Sequence, residues 1–133
     1  MSFTFRENLN ENKYLTIATL SGFFCVALGA FAAHGLSHIL EAKALSWIDT
    51  GLEYQMFHTI AVLAVALSAL RDNKFARLSM SSWLIGILLF SGSLYALAFE
   101  ASNVIVWITP IGGTLFLIGW ISLAYGSFKS KSL

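Results

Sequence analysis

Apolar residues gather in long runs along this chain, separated by short polar stretches. Four runs stand out, covering residues 14–33, 53–70, 78–99 and 104–125. Each is about long enough to cross a ~30 Å hydrocarbon core as a helix. None shows the strict alternation of apolar and polar positions that marks a half-buried strand. Lipid offers the backbone no water to bond, so a helix is the form such runs take in a membrane. The pattern predicts an all-α integral membrane protein, a single four-helix transmembrane domain over residues 1–133.

Within the first run, Ala30-Phe31-Ala32 has the small-x-small spacing of a cleavage site. Tyr14 to Ala33 is 20 residues, longer than the roughly 7–15 apolar residues of a signal peptide. It is therefore read as a helix that stays in the membrane.

Residues 36–50 follow a different pattern. Leu36, Ile39, Leu40, Ala44, Trp47 and Ile48 recur at three- and four-residue steps, while Ser37, His38, Glu41, Lys43, Ser46 and Asp49 take the other side. This predicts an amphipathic helix lying in the interface, with Gly51 as its end. The remaining links are short. One is a charged turn at 71–77. The other, Glu100-Ala101-Ser102-Asn103, makes the last two spans an antiparallel hairpin.

Composition sharpens this picture. Hydrophobic residues are 57% of the 133 and charged residues 11%, against about 45–50% and 25% in soluble domains. A soluble domain of this size exposes too much surface to carry so few charges. The net charge of +1 gives no basis for nucleic-acid binding. The single cysteine, Cys25, excludes an internal disulfide, and no zinc-type Cys/His spacing accompanies it.

Charge also sets orientation. With four spans, Arg6, Lys13, Arg71, Lys74, Arg77, Lys129 and Lys131 share one side, and Lys43 alone takes the other. The positive-inside rule then places both termini in the cytoplasm and the protein in the cytoplasmic membrane. Tyr14, Trp83, Trp120 and Tyr125 fall near the cytoplasmic ends of the spans, and Tyr54, Tyr95 and Trp107 near the outer ends, as boundary aromatics do. Ser79, Ser82, Gly86, Ser93 and Glu100 form a stripe of mostly small residues on the third span. Thr109, Gly112, Gly119, Ser122 and Gly126 form another on the fourth. Both are expected to face protein, because small residues let helices approach closely in lipid. Pro110 reads as a first-turn proline rather than a break.

The topology brings a candidate polar cluster to the outer end: His34, Glu53, Tyr54, His58, Ser91, Ser93, Glu100 and Thr109. At least two of His34, Glu53, His58 and Glu100 are expected within hydrogen-bond or one-water reach of each other, because unpaired polar groups at that depth are costly. His58 is the deepest. It has the chemistry of a proton relay, but the favoured reading is a neutral histidine bonded to a neighbouring helix. His34, His38, Glu53 and His58 are zinc-ligand types in no ligand-like spacing, so neither a metal nor a cofactor is expected. Ser91 lies in no nucleophile elbow and Gly112-Gly113 in no phosphate loop, so no catalytic residue is assigned.

Four ordered segments carry a resemblance. Leu28–Leu36 reads LGAFAAHGL, Thr50–His58 reads TGLEYQMFH, Phe90–Tyr95 reads FSGSLY, and Ile108–Trp120 reads ITPIGGTLFLIGW. In this order they resemble the YgdD/YwdK-like family of small membrane proteins. The resemblance implies four membrane helices and brings no catalytic residue, substrate or cofactor. It draws attention to Gln55 and Pro110 beside the cluster above. The function expected is a non-enzymatic accessory, assembly or membrane-integrity factor in the lipid bilayer, working with a membrane-protein partner or as a homo-oligomer. The alternative is a small transporter or channel component that uses the polar cluster. Against it, residues 64–70 hold only Ser68 as a polar group.

Overall fold

The computed structural model describes residues 2–130, with side chains from Lys13 onward. Of the basic residues that set the expected orientation, Lys131 lies outside the described residues and Arg6 precedes the described side chains. In order come α1 (Ser2–His34), a 3-10 turn (Leu36–His38), α2 (Ala42–Ala66), α3 (Lys74–Gly86), a π-helical turn (Ile87–Ser91), α4 (Gly92–Ala98), a second 3-10 turn (Asn103–Trp107) and α5 (Ile108–Lys129). α3, the π turn and α4 join end to end as one rod. The described residues thus form four rods and no strand.

Three stretches are long and apolar enough to cross a membrane: Lys13–His38, Lys74–Ala98 and Asn103–Lys129. α2 matches them in length, with 25 residues. It carries Asp49, Glu53, Gln55 and His58, which dilute its apolar character.

The separate interfacial helix over 36–50 is not found. Residues 36–38 form the 3-10 turn, and Ala42 opens a helix that runs unbroken to Ala66. Ile48, Gly51, Gln55, His58, Thr59, Val62, Val65 and Ala66 are its buried residues. They follow one helical stripe straight through Gly51. The amphipathic periodicity is present, but most of the apolar face rests on protein, with Ile39 left 74% exposed. Leu36 and Ile48 are buried with Ala32 and Ala98. The same helix stops earlier than the apolar run suggests, because Ser68 turns its hydroxyl back to the Val65 carbonyl (2.8 Å) and accepts from the Leu70 amide (3.1 Å).

Local chemistry fixes the other ends. Asn73 caps α3, its side chain accepting from the amides of Phe75 (2.8 Å) and Ala76 (3.4 Å). At the end of α4, Glu100 adopts a left-handed φ of 63°. The Glu100 amide bonds the Leu97 carbonyl and the Ala101 amide bonds that of Ala96, the paired bonds of a Schellman cap. Pro110 is the third residue of α5, where the missing amide costs no helical bond.

α2 and the third rod form the middle of the molecule. α1 packs on α2, α5 packs on α3, and the two outer helices stay apart. Over an apolar 18-residue stretch of each, 17% of residues are buried in α1 and in α5 but 44% in the third rod, which marks it as interior.

The third rod and α5 meet along a glycine seam. Gly112, Gly119 and Gly126 recur at intervals of seven and face Phe90, Trp83 and Phe75 in turn. A Cβ at Gly112 would collide with the Phe90 backbone, and one at Gly119 with the Trp83 ring. One at Gly126 would sit 2.7 Å from the Phe75 Cβ. Each missing side chain admits an aromatic residue from the antiparallel neighbour, which is how helices gain contact in lipid. Ser82 adds a 2.7 Å bond to the Leu115 carbonyl. The two small-residue stripes therefore do face protein, apart from Glu100, which is exposed at the rod's end. Trp83 is 0% exposed and donates its indole N–H to the Phe116 carbonyl (3.3 Å). It is a core residue, not the boundary aromatic its sequence position suggested.

Candidate functional site: a hydrogen-bonded layer around the middle of α2

Along α2 the buried residues change character twice. Ile48 belongs to one apolar cluster, and Val62, Val65 and Ala66 to another with Met80, Trp83 and Phe116. Between them, Gly51 to Thr59 carries a layer of polar groups.

Gln55 is the centre of one half of this layer and is 7% exposed. Its amide nitrogen donates to the Ser21 carbonyl and hydroxyl, both at 3.1 Å. Its amide oxygen accepts from the Tyr95 hydroxyl at 2.7 Å. Ser21 in turn shares a 2.8 Å bond with Thr59. Ser91, at the end of the π turn, donates to the Gly51 carbonyl at 2.6 Å. Gly51 makes this approach possible, since a Cβ there would lie 2.5 Å from the Tyr95 ring. One side chain thus ties α1, α2 and α4 together.

His58 is the centre of the other half and is 2% exposed. Its Nδ1 lies 2.8 Å from the Tyr54 carbonyl, and the Trp120 indole N–H donates to its Nε2 at 3.0 Å. A carbonyl only accepts and an indole N–H only donates, so the ring is the neutral tautomer protonated on Nδ1. The imidazole lies flat on Phe116, with centroids 3.7 Å apart and planes 7° apart. Phe57, Trp83 and Trp120 enclose it further.

The eight candidate residues divide. Tyr54 and His58 lie one turn apart with stacked rings, and Tyr54 also meets Phe90 at 4.7 Å. Ser91 joins α4 to α2 as above. Ser93 donates to the Phe90 carbonyl at 2.8 Å and therefore accepts from the Thr109 hydroxyl at 2.6 Å. His34, Glu53 and Glu100 are exposed. No hydrogen bond or ion pair joins His34, Glu53, His58 and Glu100 to one another among the described residues. The cause lies in α2 itself: Glu53 occupies the face opposite the buried stripe, while His58 lies within it. No group of three or more metal-type side chains occurs among the described residues.

The layer's centre, Gln55, and its partners Ser21 and Thr59 were not among those eight. Ionisable type is the obvious signal for chemistry, and these three are neutral. The resemblance marks Gln55 alone of the three, and position supports it: Gln55 falls three residues before His58 and four after Gly51, on the same helical face. Every buried side-chain nitrogen and oxygen among the described residues has a hydrogen-bond partner. Such an arrangement fastens the helices to one another.

The comparisons with known proteins agree with the resemblance read from the four segments. Residues 28–113 match a family model described as a protein of unknown function, DUF423. A UPF0382 membrane protein of Haemophilus influenzae is 97% identical over 92% of this chain and 99% of its own length. The inner membrane protein YgdD of Escherichia coli K12 is 45% identical over 88% of this chain and 90% of its own. The membrane protein YwdK of Bacillus subtilis is 35% identical over 87% of this chain and 96% of its own. No solved structure matches. The family match and these near full-length relatives establish that the chain belongs to the UPF0382 (DUF423) family of membrane proteins.

Proposed function

We propose that the protein is a non-enzymatic accessory or membrane-integrity factor, a rigid four-span bundle of the cytoplasmic membrane with both termini in the cytoplasm. α2 is the fourth span in this reading. Its buried polar residues Gln55, His58 and Thr59 cross the membrane inside the bundle, against α1, the third rod and α5, while Asp49 and Glu53 lie exposed toward its outer end. Among the described basic residues, all but Lys43 fall at the end that would be cytoplasmic. Single cysteines at Asn103 and Asp72, in a Cys25→Ser background, test the topology on intact cells with an impermeant thiol reagent. Labelling at 103 but not at 72 is expected, and the reverse would overturn the orientation.

The observation that carries the functional reading is the closure of the polar layer. His58 has both ring nitrogens engaged and an aromatic ring against its face. Beyond it, the buried residues of α2 are Val62, Val65 and Ala66, and the buried Ser79 and Ser82 hydroxyls of α3 donate to the Phe75 and Leu115 carbonyls. A transport or relay role requires a group that exchanges partners, whereas a structural role requires one that keeps them.

His58→Gln separates the two. It loses the ring stacking and retains an amide that can bond. The structural reading expects complementation of a deletion strain to follow the variant's thermal stability in detergent. Lost complementation at unchanged thermal stability would assign His58 to proton transfer and the protein to transport.

A further inference from the structure

α1 leans on α2 and meets the third rod chiefly at one end, where the Tyr14 and Ser81 hydroxyls bond at 2.6 Å. Between α1 and the rod lies a groove of about 520 Å³. Ile17, Leu20 and Phe24 form one wall, Ile85 and Leu88 the other, and Gln55 lies at the floor. Lys13 lines the groove at the Tyr14 end, exposed and without an ionic partner among the described residues.

We propose that this groove binds one acyl chain of an anionic phospholipid, with the headgroup at Lys13. Three observations converge on that occupant. Lys13, Ile17, Leu20 and Phe24 follow three- and four-residue steps, so they share one face of α1 and line the groove lengthwise. From Lys13 to Phe24 the helix rises ~16 Å, close to half of a ~30 Å hydrocarbon core, which is the depth of one leaflet. Hydrocarbon fills an apolar recess in a bilayer, because water gains no partners there. The Lys13 ammonium stands at the end where a lipid chain meets its headgroup, and it selects a phosphate whose charge no amine offsets. Gln55 and Ser21 already satisfy each other, so the floor makes no demand on the chain.

The test is native mass spectrometry of the full-length protein after mild delipidation, with phosphatidylglycerol and phosphatidylethanolamine of matched chains as probes. Wild type should retain one lipid and prefer phosphatidylglycerol by about fivefold, the worth of one lysine near an anionic surface. Lys13→Gln should keep a lipid and lose the preference. Leu88→Trp, at a position 72% exposed, should fill the groove and lose both lipids. Leu117→Trp, 65% exposed on α5 and outside the groove, should behave as wild type. Equal retention of the two lipids by wild type, or unchanged retention in Leu88→Trp, would overturn the proposal. Replacement of lipid by a second copy of the chain in the groove would also overturn it. The outcome is independent of whether His58 is structural or a relay.

Discussion

The α3–α5 seam and the layer around α2 solve the same problem by different means. At the seam, three glycines admit three aromatic residues, and shape complementarity supplies the contact. Around α2, side-chain hydrogen bonds tie α2 to α1, α4 and α5, with Gln55 and His58 as hubs. Neither region can use the hydrophobic effect between helices in lipid, so one relies on dispersion and the other on polar pairing. The difference predicts different failure modes. The seam is sensitive to added volume, and the layer to lost partners.

The largest effect is expected at Gly112. A Cβ there meets Phe90 backbone, which cannot rotate aside. Gly112→Ala should cost at least the upper end of the roughly 1–3 kcal/mol of overpacking. Gly113→Ala next to it places its Cβ 3.7 Å from the Phe90 ring, an ordinary contact, and should be near neutral. Thermal melts of the two in detergent compare them directly. Equal melting temperatures would dissolve the seam. Gly119→Leu, which drives a side chain into Trp83, should fall close to Gly112→Ala.

Next comes the layer. Gln55→Leu strands the Tyr95 hydroxyl and removes two bonds to Ser21, at a cost of about 1–3 kcal/mol. Tyr95→Phe alone leaves one amide oxygen unpaired. A double-mutant cycle should give coupling of about 0.6 kcal/mol and no more than ~1.7, the range found for interhelical bonds in membranes. Additive effects would mean that the 2.7 Å bond contributes nothing to holding α4 on α2.

The seam was legible in the sequence because its signal is periodic. Gly112, Gly119 and Gly126 repeat at seven, and helical geometry turns that spacing into a face. The four rods were legible for a similar reason, since apolar length is a local property. The layer was only half legible. His58 stood out as an intramembrane histidine, yet its partner Trp120 lies 62 residues away, and nothing local pairs them. Gln55 is marked only by the resemblance, and its place as a hub is not legible locally, because a neutral amide resembles a surface residue until three helices surround it. The break expected at Gly51 was misjudged for a physical reason. A glycine within a helix signals either an end or a close approach, and only the ring of Tyr95 decides which. The π turn at Ile87–Ser91 has no sequence signature at all, although it aims Ser91 at Gly51.

The smallest effect is expected outside both regions and calibrates them. Glu100 holds a left-handed φ that costs a non-glycine residue roughly 1 kcal/mol. Glu100→Gly should therefore raise stability by up to that amount, offset in part by glycine's greater unfolded-state freedom. A lower melting temperature would show that the exposed carboxylate has a role the cap geometry does not account for.

The central claim is that His58 is a closed structural hub, and the protonation of its ring tests that most directly. Nitrogen-15 solid-state NMR of the histidine-labelled protein in bilayers reads this, with His58→Gln assigning the signals against His34 and His38. The account predicts a ring protonated on Nδ1 and bare on Nε2, with a cross-peak from the Trp120 indole proton to Nε2. A His58 ring carrying hydrogen on Nε2, or on both nitrogens, would contradict it.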